Sequence, residues 1–389
     1  MAVSIAIRGA GAAGLSAARA ILEVAPGSQI TVFDRRARLP HPRRTFCFFE
    51  TPEALRPVEP SRRWNEIEFS GPGFARVIDC ANQPYAMIEG DSFFGQLVTE
   101  LEQHGVGFQW NARSVEVEGD AVVTENGRHE ADVVIDAAYT AGGRQATLWQ
   151  SFFGLWVETA QPSFEPNVAS LMNLVPAEAG TSLSFVYLLP LSPTRALVEH
   201  TAYNGTPLSS HWHRKRLMQW MVERNLSVVR ETGSEYGAIP LGLERREGVE
   251  GVCRIGSEAG AIRPSTGYAF QALQRQAAGV AQAIAAGKRP DEDWRAAAYP
   301  AWLTAADGLF LRAMARDPEH GTELMGRLLG RADAGSLISF LSGSAGVLEA
   351  LRTMVCVPKA RMIWSLCGPG TRKRAPLAMA VKPAFGARR

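Results

Sequence analysis

Residues 3–34, VSIAIRGAGAAGLSAARAILEVAPGSQITVFD, decide how the chain folds. Val3 to Arg8 is an apolar run of strand length, and Gly9-Ala10-Gly11-Ala12-Ala13-Gly14 follows it directly. A helical stretch from Leu15 to Val24 stops at Pro26-Gly27. Gln29 to Phe33 is a second strand, ending in Asp34, 20 positions beyond the last glycine. Strand, glycine turn, helix and strand in this order are the setting in which G-x-G-x-x-G binds a dinucleotide. Each glycine has a physical task. Gly9 permits the tight turn, Gly11 lets backbone amides approach a pyrophosphate, and Gly14 lets the helix pack on the sheet. The helix N-terminus then offers free N–H groups and a positive dipole end to the phosphates. Asp34 is placed to hydrogen-bond the hydroxyls of an adenosine ribose. Arg35, Arg36, Arg38, Arg43 and Arg44 crowd the next segment, either to grip phosphates (Arg44 is the candidate carried forward) or as a solvated run.

A second segment, GSEAGAIRPSTGYAFQ at 256–271, has the same character. A strand-like Gly251–Ile255 leads in and a helix from about Tyr268 to Ala286 leads out. Gly256, Gly260, Pro264, Thr266, Gly267 and Tyr268 form a backbone-lined bay where a flat ring would meet a positive helix end. A ligand held at both places fits FAD better than NAD. The plain alternative is a loop that needs glycine only for its turns.

The 389 residues, 46% of them hydrophobic and 21% charged, exclude a wholly disordered chain and suggest two or three domains. Forty-one Lys+Arg against 39 Asp+Glu leave a net charge of +2, which gives no reason to expect nucleic acid as a partner. No apolar run reaches 18 residues, so no helix is expected to span a membrane. The chain enters its first strand at once, and the expected location is the cytoplasm. Cys47, Cys80, Cys253, Cys356 and Cys367 lie far apart without a C-x-x-C pair and read as small hydrophobes. No metal site is expected, and His211 and His213 read as a surface turn.

Strands and helices interleave rather than alternate. The expected class is α/β: a Rossmann-type FAD-binding domain with an inserted strand-rich substrate domain and a helical C-terminal region. The FAD-binding domain is assigned to 1–60, 91–155 and 245–290, and the substrate domain to 61–90 and 156–244. Helices follow over 291–370, then a tail, 371–389, with six Lys/Arg and no acid.

With these residues in view, the chain resembles the flavin-dependent lycopene cyclases, within the larger group of FAD-containing hydroxylase-like and glutathione-reductase-like folds. The likeness runs from the fingerprint through Thr45-Phe46-Cys47-Phe48-Phe49, Tyr85, Ile88 and Phe93-Phe94 to Gln150-x-x-x-Gly154. It continues at Leu171-Met172-Asn173, Phe185-x-Tyr187-x-Leu189-Pro190, Leu197-Val198-Glu199-His200-Thr201 and Gly237-x-Ile239-Pro240. Gly260 and Pro264 through Tyr268 complete the ordered set, and the helical stretch through Phe340-Leu341, Met354 and Pro358 also fits.

The resemblance implies acid-started, redox-neutral closure of the ends of lycopene to β-ionone rings. FAD would act in reduced form, with NAD(P)H as a candidate reductant, on an apolar polyene or isoprenoid. Such a site needs a carboxyl kept neutral near pH 7, stabilisation of a tertiary carbocation, and exclusion of water. Glu199 is the candidate acid, on one strand face with Leu197 and Thr201. A structural glutamate paired with Arg195 is the competing reading. Trp149, Phe152, Phe153, Trp156, Phe46, Phe48 and Phe49 are candidate lining residues. The chain departs from the family at His200, where some branches have a second acid, at Asn173, often Asp, and at Phe46, often Trp. An FAD/NAD(P)H oxidoreductase and a non-catalytic isoprenoid-binding flavoprotein remain alternatives. The basic tail suggests peripheral contact with the inner face of a membrane.

Overall fold

A computed structural model of the chain describes residues 3–38, 43–113, 115–139, 145–178, 180–243, 248–290 and 298–358. The assigned tail, 371–389, lies outside the described residues. The fingerprint stretch builds the middle of a five-stranded parallel sheet ordered Val252–Arg254, Val133–Asp136, Ser4–Arg8, Gln29–Phe33, Gly107–Gln109. Parallel strands covered on both faces read as unbroken apolar runs, and Ile5, Ile7, Val134 and Ile135 are accordingly buried. On one face, helix Ala12–Val24 turns Leu15, Ala18 and Ile21 inward and packs beside helix Phe270–Ala285. On the other, Val122 of a small antiparallel sheet joins Ala6, Phe33, Val134 and Val252. This is the expected Rossmann-type α/β unit.

The strand-rich part is a seven-stranded sheet. Its order is Val228–Leu241, Leu148–Thr159, Arg195–Asn204, Thr181–Ser192, Val168–Leu174, Glu66–Gly71, Phe74–Asp79. Strand Leu148–Thr159 pairs with Arg195–Asn204 without interruption from Trp149↔Asn204 to Glu158↔Arg195. The boundary expected between 155 and 156 therefore falls inside one strand, where a break would strand a row of ladder groups. The Thr45–Phe49 strand, assigned to the nucleotide-binding unit, also lies outside the parallel sheet. It pairs with Tyr85–Glu89 in a separate three-stranded sheet.

Helix Ser210–Glu223 covers one face of the large sheet, setting Leu217, Trp220 and Met221 on Phe153, Leu155, Val186 and Val198. The surface turn expected at His211 and His213 is thus the first turn of a helix capped by Ser209, and His213 is fully buried. Its side chain points inward because position 213 shares the helix face with Leu217 and Trp220. The helices Ala301–Arg316, Gly321–Arg331, Ala334–Ser342 and Val347–Met354 form the C-terminal region. Leu311, Met314, Leu324 and Leu328 from it join Phe69, Leu174 and Phe185 in one core.

One ion pair joins these helices to the 256–271 loop. Arg263 Nε donates to Asp307 Oδ2 over 2.8 Å, and the two side chains are 0% and 1% exposed. The same guanidinium donates to the carbonyls of Phe340 and Leu341. Replacing one partner of such a pair leaves a buried charge uncompensated. Arg263→Met is expected to lose about 3–5 kcal/mol of unfolding free energy in a denaturant titration.

Candidate active site

The two glycine loops meet. Gly9 has φ +101°, and a Cβ there would lie 3.1 Å from Ala138 backbone atoms. A Cβ on Gly14 would sit 2.0 Å from the Gly9 carbonyl oxygen, so the helix can leave the sheet at this angle only without a side chain. Gly11 starts helix Ala12–Val24 with no side-chain cap, and nothing lies within 4 Å of where its Cβ would be. The first-turn N–H groups thus open onto free space. Gly256, at φ +84°, lies against that same turn, 3.1 Å from Ala13 Cβ by the same construction, and its N–H donates to Gln276 Oε1. Gly260, at φ +79°, closes the short 3-10 turn Gly256–Ala259. Backbone bonds Arg263 N–H→Tyr268 O and Gly267 N–H→Arg263 O fold 263–268 into a tight turn containing Pro264 and Thr266. Gly267 faces Gln150, whose Oε1 would be 2.3 Å from a Cβ there. Gln150 Oε1 and Ser265 Oγ, both buried at this loop, have no protein hydrogen-bond partner.

Asp34 ends the second strand as expected and is 6% exposed, but its oxygens are engaged. They accept from Ala10 N–H at 2.7 Å and from the Arg36 backbone and guanidinium at 2.7–2.9 Å. Burial raises its pKa, yet the Arg36 bonds and charge prevail and hold it below the usual carboxylate range. These bonds make Asp34 a brace for the fingerprint turn. Arg44 lies at the other end of this region. Its carbonyl accepts from Gly90 N–H, and its guanidinium is close enough to Arg36 and Glu235 to feel both charges.

Glu199 acquires a partner that its own strand does not reveal. Gly154 pairs with Glu199 on one neighbouring strand and with Glu235 on the other. With no side chain on Gly154, the two carboxyls meet across it. A Cβ there would be 3.3 Å from Glu199 Oε2 and 3.3 Å from Glu235 Cγ. The two carboxyls are close enough for each to perturb the ionisation of the other. Thr201 Oγ1 donates to Glu199 Oε1 at 3.2 Å, and Thr45 Oγ1 to Glu235 Oε1 at 2.9 Å. Arg195, the partner of the purely structural reading, pairs with Glu158 instead.

Burial first, and the Glu235 charge second, push the Glu199 pKa well above the ordinary carboxylate value. Burial also raises Glu235, while the Thr45 and Glu199 bonds and the Arg43 charge pull it down. Two carboxyls this close cannot both ionise cheaply; Glu235 is pushed up to about 7 and Glu199 is the more reluctant of the two to ionise. Glu235 escapes sequence reading. Its only signal is a carboxylate at the same parity as Gly237 and Ile239.

Beside the pair is a narrow apolar cavity, with Phe69, Phe185, Tyr187, Tyr203, Tyr268 and Phe310 among its lining residues. Tyr187 is the cross-strand partner of Glu199, which therefore borders this space without lining it. Tyr268 also lines a wider opening, with Cys47, Phe48, Phe49 and Phe270. Tyr268 and Tyr85 share a hydrogen bond at 3.2 Å, and burial keeps both phenols neutral. The expected aromatic lining divides. Trp156 lies in the core beneath the cavity with Arg43 over its ring, and the Phe152 ring covers Gly237. Phe153 faces the opposite side, under Trp220, and Phe46 and Phe48 stack on Phe270. None of these six lining residues was singled out for that role except Tyr268, which the sequence had assigned to the ring-binding loop.

His200 points away from the acid pair. It belongs to a buried chain on the far face: Ser184 Oγ, His200, His213 and Ser151 Oγ, with contacts of 2.9, 2.8 and 2.9 Å. Burial depresses these histidines to about 3 and about 4, so both are neutral. Among the described residues, no cluster of His, Cys, Asp and Glu has the arrangement of a metal site.

Because the native state holds the Glu199 proton more tightly than the unfolded chain does, stability falls as pH rises above the unfolded carboxyl value. Glu199→Gln is expected to flatten this slope and to melt higher than the parent at pH 8. Scanning calorimetry would read about 1 °C for each kcal/mol gained in a chain of 389 residues.

A family model described as "Lycopene cyclase protein" matches residues 4–366. A lycopene beta cyclase of Synechococcus elongatus is 28% identical over 215 residues, covering 48% of this chain and 52% of that protein. A Paracoccus lycopene beta-cyclase is 25% identical over 280 residues, covering 68% and 70%. The chain thus spans about half the length of the first of these relatives. Among solved structures, 2-methyl-3-hydroxypyridine-5-carboxylic acid oxygenase superposes with a TM-score of 0.57 at 15% identity, covering 91% and 96%. A tryptophan 6-halogenase from Streptomyces toxytricini gives 0.57 at 13%, covering 95% and 98%. At these identities the likeness is one of fold.

Proposed function

The chain belongs to the lycopene cyclase protein family, and from that membership we propose that it closes the linear ends of lycopene to β-ionone rings, with Glu199 as the proton donor. One observation carries the reading: the Glu199 and Glu235 side chains meet over the bare backbone of Gly154, beside an aromatic cavity. Protonating an alkene requires an acid that is still neutral near pH 7, and burial beside a second carboxyl supplies one. The proton adds to the terminal double bond, and the tertiary cation so formed is attacked by the next double bond, closing the ring. Loss of a ring proton to the Glu199 carboxylate restores the acid, so the cycle is redox-neutral. Glu235 keeps the negative charge of the pair next to the developing cation, and the phenol and phenyl faces add their quadrupoles. The C-terminal helices close the apolar cavity against water, which would trap the cation as an alcohol.

FAD is the cofactor whose shape the two loops fit. Gly9, Gly11 and Gly14 would hold the pyrophosphate at the open helix N-terminus, with Asp34 bracing the turn and Arg44 within reach of a phosphate. Gly256, Gly260, Pro264, Thr266, Gly267 and Tyr268 would hold the ring. The unpartnered Gln150 Oε1 and Ser265 Oγ suit its polar edge. When bound and reduced, with NAD(P)H as the reductant we favour, FAD supplies an electron-rich ring that stabilises positive charge nearby.

The test is expression in cells that accumulate red lycopene, with product analysis. The parent is expected to give the cyclic orange-yellow product. Glu199→Gln is expected to lower turnover by about 10²–10⁴-fold while FAD stays bound. Unchanged lycopene together with FAD-dependent NADPH consumption would overturn the reading in favour of a redox enzyme. In the purified parent, the rate is expected to fall as pH rises and the Glu199 proton is lost, because the protonated acid is the active form. Gly14→Val is expected to abolish the flavin absorbance of the purified protein, since its side chain collides with the Gly9 carbonyl.

A further inference from the structure

The last described helix, Val347–Met354, is apolar on its outside. Val347, Leu348 and Leu351, together with Val355 just past its end, are 52%, 73%, 52% and 60% exposed. The spacing i, i+1, i+4, i+8 gathers all four within about 100° of the helix circumference. The opposite face is conventional core: Ala350 and Thr353 are 1% and 0% exposed. Met354, and Val357 just beyond the helix, line the apolar cavity beside the acid pair. One short segment therefore touches the substrate space on its inside and presents four large aliphatic side chains on its outside. No single described helix is long and apolar enough to cross a membrane; only Ala334–Ser342 and Val347–Met354 together, bent by 112°, pass by length and composition. An eight-residue helix with one apolar face has the pattern of a segment that lies in a lipid surface.

Charge selects the surface. Arg352 is exposed on the helix, and the 31 residues that follow Pro358 contain eight Lys/Arg and no Asp or Glu. Basic residues next to an amphipathic helix attract anionic headgroups, whereas a second copy of this chain would bring the same positive charge to the contact. We propose that helix Val347–Met354 docks this protein on an anionic bilayer, so that the cavity mouth meets the lipid in which an apolar polyene is dissolved. The proposal rests on the function argued above for its substrate class. Its test needs no turnover, so the two fail separately.

The full-length protein is floated with vesicles of phosphatidylcholine containing phosphatidylglycerol, and with phosphatidylcholine alone, beside the variant Leu348→Asp/Leu351→Asp. Neither substituted side chain belongs to the catalytic or cofactor-binding machinery, and unchanged thermal unfolding checks that the variant is folded. The parent is expected to bind anionic vesicles in preference to neutral ones. The variant is expected to bind them about tenfold or more weakly, from the lost burial of two leucines, while its activity on detergent-solubilised substrate is unchanged. Equal binding by parent and variant would overturn the proposal. So would a parent dimer that the substitutions dissociate, with no vesicle binding by either protein, since the apolar face would then be an interface between copies.

Discussion

Two carboxyls meeting across a bare glycine, Glu235 buried and Glu199 half-buried, are the constraint around which this structure is arranged. Glu199 and Glu235 reach each other only because Gly154, on the strand between them, has no side chain. Either carboxyl alone on an apolar sheet face would be a costly defect. Thr201 and Thr45 donate to one oxygen of each. The arrangement stores acidity: a carboxyl that water would have ionised stays protonated because its neighbour and its burial both oppose ionisation. Stability is given up to keep it so, in the manner expected of sites where local rules are broken for chemistry.

The rest of the fold delivers other groups to this point. The two glycine loops converge at Ala13, where Gly256 lies against the first turn of the fingerprint helix. Tyr268, at the end of the second loop, borders both openings. Arg263 and Asp307 hold the turn carrying Tyr268 against the C-terminal helices. On the far face, the neutral His200–His213 chain fixes helix Ser210–Glu223 to the sheet and adds no charge near the acid.

What could be read from the sequence was local. The fingerprint announces itself because glycine spacing, strand and helix all lie within 32 consecutive residues. Glu199 could be placed on a face because strand alternation is also local. Glu235 could not, since its meaning depends on register across two neighbouring strands that sequence does not encode in any short pattern. The Arg263–Asp307 clasp joins residues 44 positions apart through tertiary packing alone. His213 misled as a surface residue because a polar stretch with adjacent basic residues hides a helix whose buried face is narrow. The assigned boundary at 155 falls inside a strand whose hydrogen-bond ladder continues through it, and such a ladder leaves no local mark in the sequence. Asp34 ends its strand where the sequence places it, and its bonds to Arg36, two residues away, are a local feature that the fingerprint does not announce.

The protonation state of Glu199 can be observed directly by infrared spectroscopy of the purified protein at pH 7–8. The account predicts a protonated-carboxyl C=O band that is present in the parent, shifts in heavy water and disappears in Glu199→Gln. A parent spectrum at that pH with only ionised carboxylates, or a band that persists unchanged in the variant, would contradict it.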